Sequence, residues 1–164
     1  MAEAANPVKT AMTWEQFLAA GEERQRWELV EGAQLEFYSN LRREWIALGA
    51  DTAFTIAPGT WRCPDAALVR AERFPGRQLP EGPAEFPPDV AFEVLSPGDT
   101  ARRMPRKRRQ YQESGVIHVW IDFAKRTAEA AYPDRGSHYF DEGKPLTIDG
   151  VDGFALDLKA LFEV

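Results

Sequence analysis

A chain of 164 residues with 44% apolar and 28% charged residues is long enough for one domain with a real core, in ordinary globular proportions. The single cysteine, Cys63, excludes an internal disulfide and a thiolate zinc site. Met1–Thr10 has no apolar run of the signal-peptide kind, and no apolar stretch approaches the ~20 residues of a membrane span. The expectation is one cytoplasmic domain over residues 1–164, with residues 1–10 as a loose arm and no membrane partner. Net charge is −6, which argues against a general nucleic-acid coat. Yet Arg102–Arg109 holds six of the twenty basic residues and no acid. Such a strip is either a solvated helix face or a phosphate-facing surface.

In chain order, Thr13 and Gln16 fit a capping box for a short helix to about Ala20, ended by Gly21. Trp27–Val30 and Gln34–Tyr38 read as strands around the hairpin signal Glu31-Gly32. Ser39 or Asn40 is placed to cap a two-turn helix over Leu41–Leu48. Asp51–Ile56 is a strand, Pro58-Gly59 a turn, and Trp61–Val69 a strand in which Pro64 implies a bulge or an edge. Ala71–Pro88 is a Pro/Gly-rich loop.

Pro87–Asp122 is the centre of the chain. Val90, Phe92 and Val94 alternate with Ala91, Glu93 and Leu95, the period of a strand. Ser96-Pro97-Gly98-Asp99 breaks it, Pro105 is suited to open a helix, and Gly115 to cap it. Val116–Phe123 is a second apolar strand. A short helical crossover between two such strands predicts a βαβ unit with parallel neighbours. Thr127–Tyr132 should run antiparallel to the second strand, His138–Asp141 is a short strand, and Phe154–Phe162 is amphipathic. There is no internal repeat or low-complexity tract.

Two carboxylates stand out. Asp65 shares a strand face with Cys63 and Ala67, and Glu93 with Ala91 and Leu95. An isolated carboxylate on a buried strand is costly or shifts its pKa upward. A turn cap for Asp65 and an arginine partner for Glu93 would each explain one of them. One shared hard cation explains both, since Mg²⁺ takes one or two carboxylates plus waters and a phosphate. Lys107 lies four residues before Tyr111, on one helical face that is otherwise poor in apolar residues. That face is expected to look onto a polar site, where Lys107 would act on a phosphate or its attacking water; a plain surface lysine fits the spacing equally. His118 and His138 read as satisfied structural groups and Cys63 as a small core residue. Glu28 and Glu31 are candidate third acids or a hairpin rim. No P-loop, dinucleotide fingerprint or zincin helix is present.

These pieces together resemble the Uma-type restriction-endonuclease family, a branch of the PD-(D/E)XK nuclease superfamily. The resemblance rests on MTWEQFLA (Met12–Ala19), RWELVEG (Arg26–Gly32), ADTAFTI (Ala50–Ile56) and RCPDAALV (Arg62–Val69). It continues through PPDVAFEVLSP (Pro87–Pro97), KRRQYQESGV (Lys107–Val116), HVWIDF (His118–Phe123) and GFALDLKALF (Gly153–Phe162). It implies an α/β, restriction-endonuclease-like core: a central mixed β-sheet flanked by helices, with extra N- and C-terminal β-hairpins. Asp65 matches the family's PD aspartate and Glu93 the acid of the (D/E)XK half-motif. Leu95 stands where the superfamily has lysine, and Lys107 in the following helix matches the relocated lysine. Relatives carry a longer helix before ADTAFTI, where this chain has only Tyr38–Gly49.

The expectation is therefore a metal-dependent endonuclease, with a catalytically degenerate nucleic-acid or protein binding module as the alternative. Asp65, Glu93 and Lys107 would be catalytic, and Asp65, Glu93 and the Val94 carbonyl would hold Mg²⁺ or Mn²⁺. Arg102, Arg103, Arg106, Arg108 and Arg109 would contact the nucleic-acid backbone, DNA foremost, and Glu28 would be a third acid. A homodimer is expected, because related nucleases often pair to cut two strands.

Overall fold

The computed structural model describes residues 26–30, 33–36, 44–50, 52–80, 82–95 and 103–163. Strands β1 (Arg26–Val30) and β2 (Ala33–Glu36) pair antiparallel as a separate ribbon. Next come β3 (Trp45–Gly49) and a second ribbon of β4 (Phe54–Ala57) and β5 (Thr60–Arg62), turned at Pro58-Gly59 with Gly59 at a φ of 68°. The central unit follows β6 (Ala66–Arg70): strand β7 (Val90–Leu95), helix α1 (Arg103–Glu113) and strand β8 (Ile117–Asp122). Strands β9 (Thr127–Ala131) and β10 (Ser137–Asp141) and the short helix α2 (Leu158–Phe162) complete the order. The capping box at Thr13 lies outside the described residues.

Six strands form the main sheet in the order β10-β9-β8-β7-β6-β3. Strands β7 and β8 are parallel and every other neighbouring pair is antiparallel, so the sheet is mixed as expected. The crossover through α1 makes the parallel pair possible, because a tight hairpin can join only antiparallel strands. Gly115 ends the helix at a φ of 77°, a left-handed position that a side chain strains. The Val116 N–H then closes on the Tyr111 carbonyl at 3.0 Å. The C-terminal hairpin β9–β10 extends this sheet rather than standing beside it.

Two expectations need correction. Of the predicted helix over Leu41–Leu48, Leu41–Arg43 lie outside the described residues and Glu44 is helical, but Trp45–Leu48 belong to strand β3 (Trp45–Gly49), which pairs along β6 from Trp45↔Arg70 to Gly49↔Ala66. Helical propensity is a weak preference, and here the open edge of β6 supplies a full ladder of partners. The predicted strand Trp61–Val69 is broken at Cys63-Pro64-Asp65 into β5 and β6, because Pro64 has no N–H for a ladder. That break leaves Cys63 exposed, not in the core. Pro105 is the third residue of α1 rather than its first, still within the turn whose N–H groups have no helical acceptor.

Alternation divides the sheet into two unlike faces. One presents Val90, Phe92, Val94, Val119, Ile121, Ala128 and Ala130, all buried beneath the C-terminal segment from Leu146 to Phe162. The other packs Ile46, Leu48, Ala67, Val69 and Ala91 with Tyr111 of α1. Further along that second face, toward β9, the side chains become polar.

Candidate active site

The site begins with register. Strand β6 pairs Ala66 with Phe92 and Ala67 with Ala91. Carried one residue beyond the strand, the same register sets Asp65 opposite Glu93. Asp65 Oδ2 accepts a hydrogen bond from the Val94 backbone N–H at 2.7 Å, which fixes the carboxylate at the C-terminal end of the parallel pair. In open α/β sheets, ligands bind outside the carboxyl ends of parallel strands.

Glu93 is 4% exposed, and helix α1 reaches both of its oxygens. The Tyr111 hydroxyl donates to Oε1 at 2.7 Å, and the Lys107 ammonium forms an ion pair with Oε2. Lys107 and Tyr111 are one helical turn apart on one face, so a single helix delivers both donors. Burial raises the Glu93 pKa, the Asp65 charge adds to this, and Lys107 and Tyr111 work against it. Burial and the Glu93 charge also raise the pKa of Tyr111, which stays a hydrogen-bond donor. The expected arginine partner for Glu93 is thus a lysine, the one the helical spacing selects.

The cross-strand row continues from Glu93 to Trp120, Glu129 and Tyr139. Arg108, next to Lys107, forms an ion pair with Glu129 Oε2, and the Tyr139 hydroxyl donates to Glu129 Oε1 at 3.3 Å. Burial works to raise the Glu129 pKa, but hydrogen bonds from Ser137 and Arg108, with the Arg108 charge, bring it below the usual range. Adjacent cations of α1 therefore dock on two carboxylates that Trp120 separates. In the neighbouring row His118 lies between Ala91 and Ala131, whose small side chains leave room for it. Its ring stacks on Tyr111 at 5.9 Å and meets the edge of Trp120 at 5.7 Å. Among the described residues neither ring nitrogen meets hydrogen-bond geometry, although the Val116 backbone is close enough to act on the ring's charge. Burial first, and then the Arg108 charge, lowers its pKa to about 4.

Within the basic strip, Lys107, Arg108 and Arg109 are ion-paired. Arg109 pairs with Glu113 along the exposed side of the helix at 3.3 Å, while Arg106 is exposed with no ion pair among the described residues. Arg103 opens α1, and Arg102 lies outside the described residues. Glu28 falls on β1, away from the main sheet's strand order. Among the described residues no group of three or more His, Cys, Asp or Glu side chains gathers in metal-binding proximity.

Three participants are missing from the sequence reading. Tyr111 is one, although its spacing from Lys107 was the available signal. Arg62 is another: its Nε donates to Gln110 Oε1 at 3.0 Å, its Nη2 reaches the same oxygen, and its charge is felt at Tyr111. Its partner among the described residues is the neutral Gln110 amide. Glu129 is the third, concealed in the alanine-rich strand Thr127–Ala131.

Comparison with known proteins identifies the family and the fold. The family model described as "Uma2: Putative restriction endonuclease" matches residues 33–159. The chain belongs to this family. A crystal structure of a "putative nuclease belonging to DUF820" from Anabaena variabilis is similar, with a TM-score of 0.62 at 17% identity, covering 91% of this chain and 96% of that one. At that identity the likeness is one of fold: an α/β fold built on a mixed central sheet. Among curated proteins there is no match to this chain. The Uma2 match runs from β2 to the first two residues of α2, and so covers every residue of the Asp65–Glu93–Lys107 cluster.

Proposed function

We propose that this Uma2-family chain hydrolyses phosphodiester bonds in nucleic acid, DNA foremost, using a divalent cation held by Asp65 and Glu93. The observation that carries the reading is a buried glutamate set directly across from an aspartate, with a lysine of the next helix on its carboxylate. The donor set fits Mg²⁺ or Mn²⁺, which are hard cations that take oxygen ligands from one or two carboxylates. The Val94 carbonyl completes it: in extended backbone a residue's N–H and C=O point the same way, and the Val94 N–H points at Asp65.

A cation bound there would lower the pKa of a water and offset charge on the phosphate. Lys107 contributes a point charge beside Glu93, where it orients the attacking water or supports developing negative charge. Arg106, together with Arg102 and Arg103, contacts the phosphate backbone and carries no sequence information. Arg108 and Arg109 join them only by leaving Glu129 and Glu113. Two copies of the chain would cut two strands. The test is cleavage of plasmid and single-stranded DNA with Mn²⁺ or Mg²⁺, comparing wild type with Asp65→Ala and Glu93→Ala. Retained cutting in either variant removes this site.

A second reading keeps the fold and loses the chemistry. It is supported by the short segment Tyr38–Gly49, which stands where relatives carry a longer helix and which ends in strand β3. The protein would then bind nucleic acid without metal. A titration with single-stranded and duplex DNA in chelator, at two salt concentrations, separates the readings, since phosphate contacts weaken steeply with salt.

A further inference from the structure

The two donors on Glu93 differ in what it costs to remove them. Tyr111 is fully buried, its ring lies on His118, and it belongs to the apolar cluster beneath α1. Its hydroxyl leaves Oε1 only if that cluster opens. The Lys107 side chain is 28% exposed and sits on a flexible four-carbon stem. It has a path to solvent while its helix stays in place. The helix stays because Tyr111 is buried in the core and because the adjacent Arg108 is tied to Glu129. A buried carboxylate needs a counter-charge at all times. In this structure Lys107 supplies it, on the oxygen of Glu93 that Tyr111 does not hold.

We propose that Lys107 and a divalent cation occupy Glu93 Oε2 in turn. Lys107 neutralises the carboxylate while the protein is metal-free, and cation binding releases it toward the substrate phosphate. Tyr111 remains on Oε1 throughout as the positioning residue. The inference rests on the metal-site reading above and adds to it. Lys107 competes with the metal before it assists the reaction, so arming the lysine and loading the site are one event. Competition of this kind weakens apparent metal affinity by the fraction of molecules in which Oε2 is free.

The test follows the lysine itself. Reductive methylation of the whole protein, read by peptide mass spectrometry, reports the reactivity of each amine, with Lys125 at 78% side-chain exposure as internal standard. In chelator, Lys107 should label several-fold more slowly than Lys125. Saturating Mn²⁺ should raise the Lys107 rate at least about fivefold and leave Lys125 unchanged. Glu93→Gln should make Lys107 reactive without metal. Calorimetric titration of Mn²⁺ runs alongside. Heat of binding with an unchanged or slower Lys107 rate overturns the exchange and leaves the metal site standing. No heat of binding overturns the metal-site reading and the exchange with it.

Discussion

One sheet carries two faces made from alternate residues of the same strands, and they do opposite things. On β7, Val90, Phe92 and Val94 face the C-terminal segment, while Ala91 and Glu93 face α1. On β8, Val119 and Ile121 face one way, His118 and Trp120 the other. The first face is closed by Leu146, Ile148, Val151, Phe154, Leu156, Leu158, Leu161 and Phe162, with no charged residue in the cluster. The second is closed by a helix with one fully buried side chain, Tyr111, and two cations docked on carboxylates. Stability concentrated on one face leaves the other free to carry groups that are costly to bury.

Substitutions that act on one face and spare the other test this division. The largest effect is expected at the polar face: Asp65→Ala and Glu93→Ala should each lower cleavage by on the order of 1000-fold. Thermal melting of Asp65→Ala should stay close to wild type, and a collapse of its melting curve would mean that the two faces are not independent. Phe92→Ala, one residue from Glu93 on the opposite face, should behave in reverse. It should cost about 3–4 kcal/mol in urea unfolding, from lost burial and a residual cavity. The folded fraction should keep its metal affinity.

A pH effect of intermediate size is expected at His118. Its pKa is lowered to about 4 in the native state, against about 6.5 in the unfolded chain. Between those values the unfolded chain takes up a proton that the native protein refuses, so stability falls as pH drops from 6.5 toward 4. From pH 7 to pH 5 the loss is roughly 2 kcal/mol. Glu93 acts with the opposite sign. Its native pKa is raised, so acidification through that value protonates the native state first and adds stability. Urea titrations at pH 7, 6 and 5 should show a steeper loss in wild type than in His118→Phe, and equal slopes would remove His118 as the cause. The smallest effect belongs to Arg106→Ala, which should weaken DNA binding slightly and reduce the slope of log affinity against log salt by about one. An unchanged slope would place the phosphate contacts elsewhere.

Much of this was legible before the structure, for identifiable reasons. The β7–α1–β8 unit was readable because alternation, a Gly115 cap and a short crossover agree at every level. The same coherence exposed Glu93 as the residue that breaks a buried pattern, and it singled out Lys107 by its spacing from Tyr111. Strand β3 was not readable, because Arg42 through Leu48 is a good helical sequence and only the distant edge of β6 makes Trp45–Leu48 a strand. Cys63 was misplaced because one proline decides between a single strand and two. Glu129 was invisible because nothing local says that a glutamate among alanines faces an arginine from a helix before it. The sequence shows which residues alternate; which strands come to lie side by side is a property of the whole chain.

The site also joins contacts of very different range. Glu93 meets Lys107 across 14 positions and Tyr111 across 18, both within one crossover, whereas the Val94 amide meets Asp65 across 29. Short-range contacts close at lower entropic cost and tend to form sooner. During folding the carboxylate of Glu93 can therefore be neutralised by its own crossover before Asp65 is docked beside it. On refolding of the complete chain, the juxtaposition of the two acids would then be the last part of the site to form, with the docking of β6.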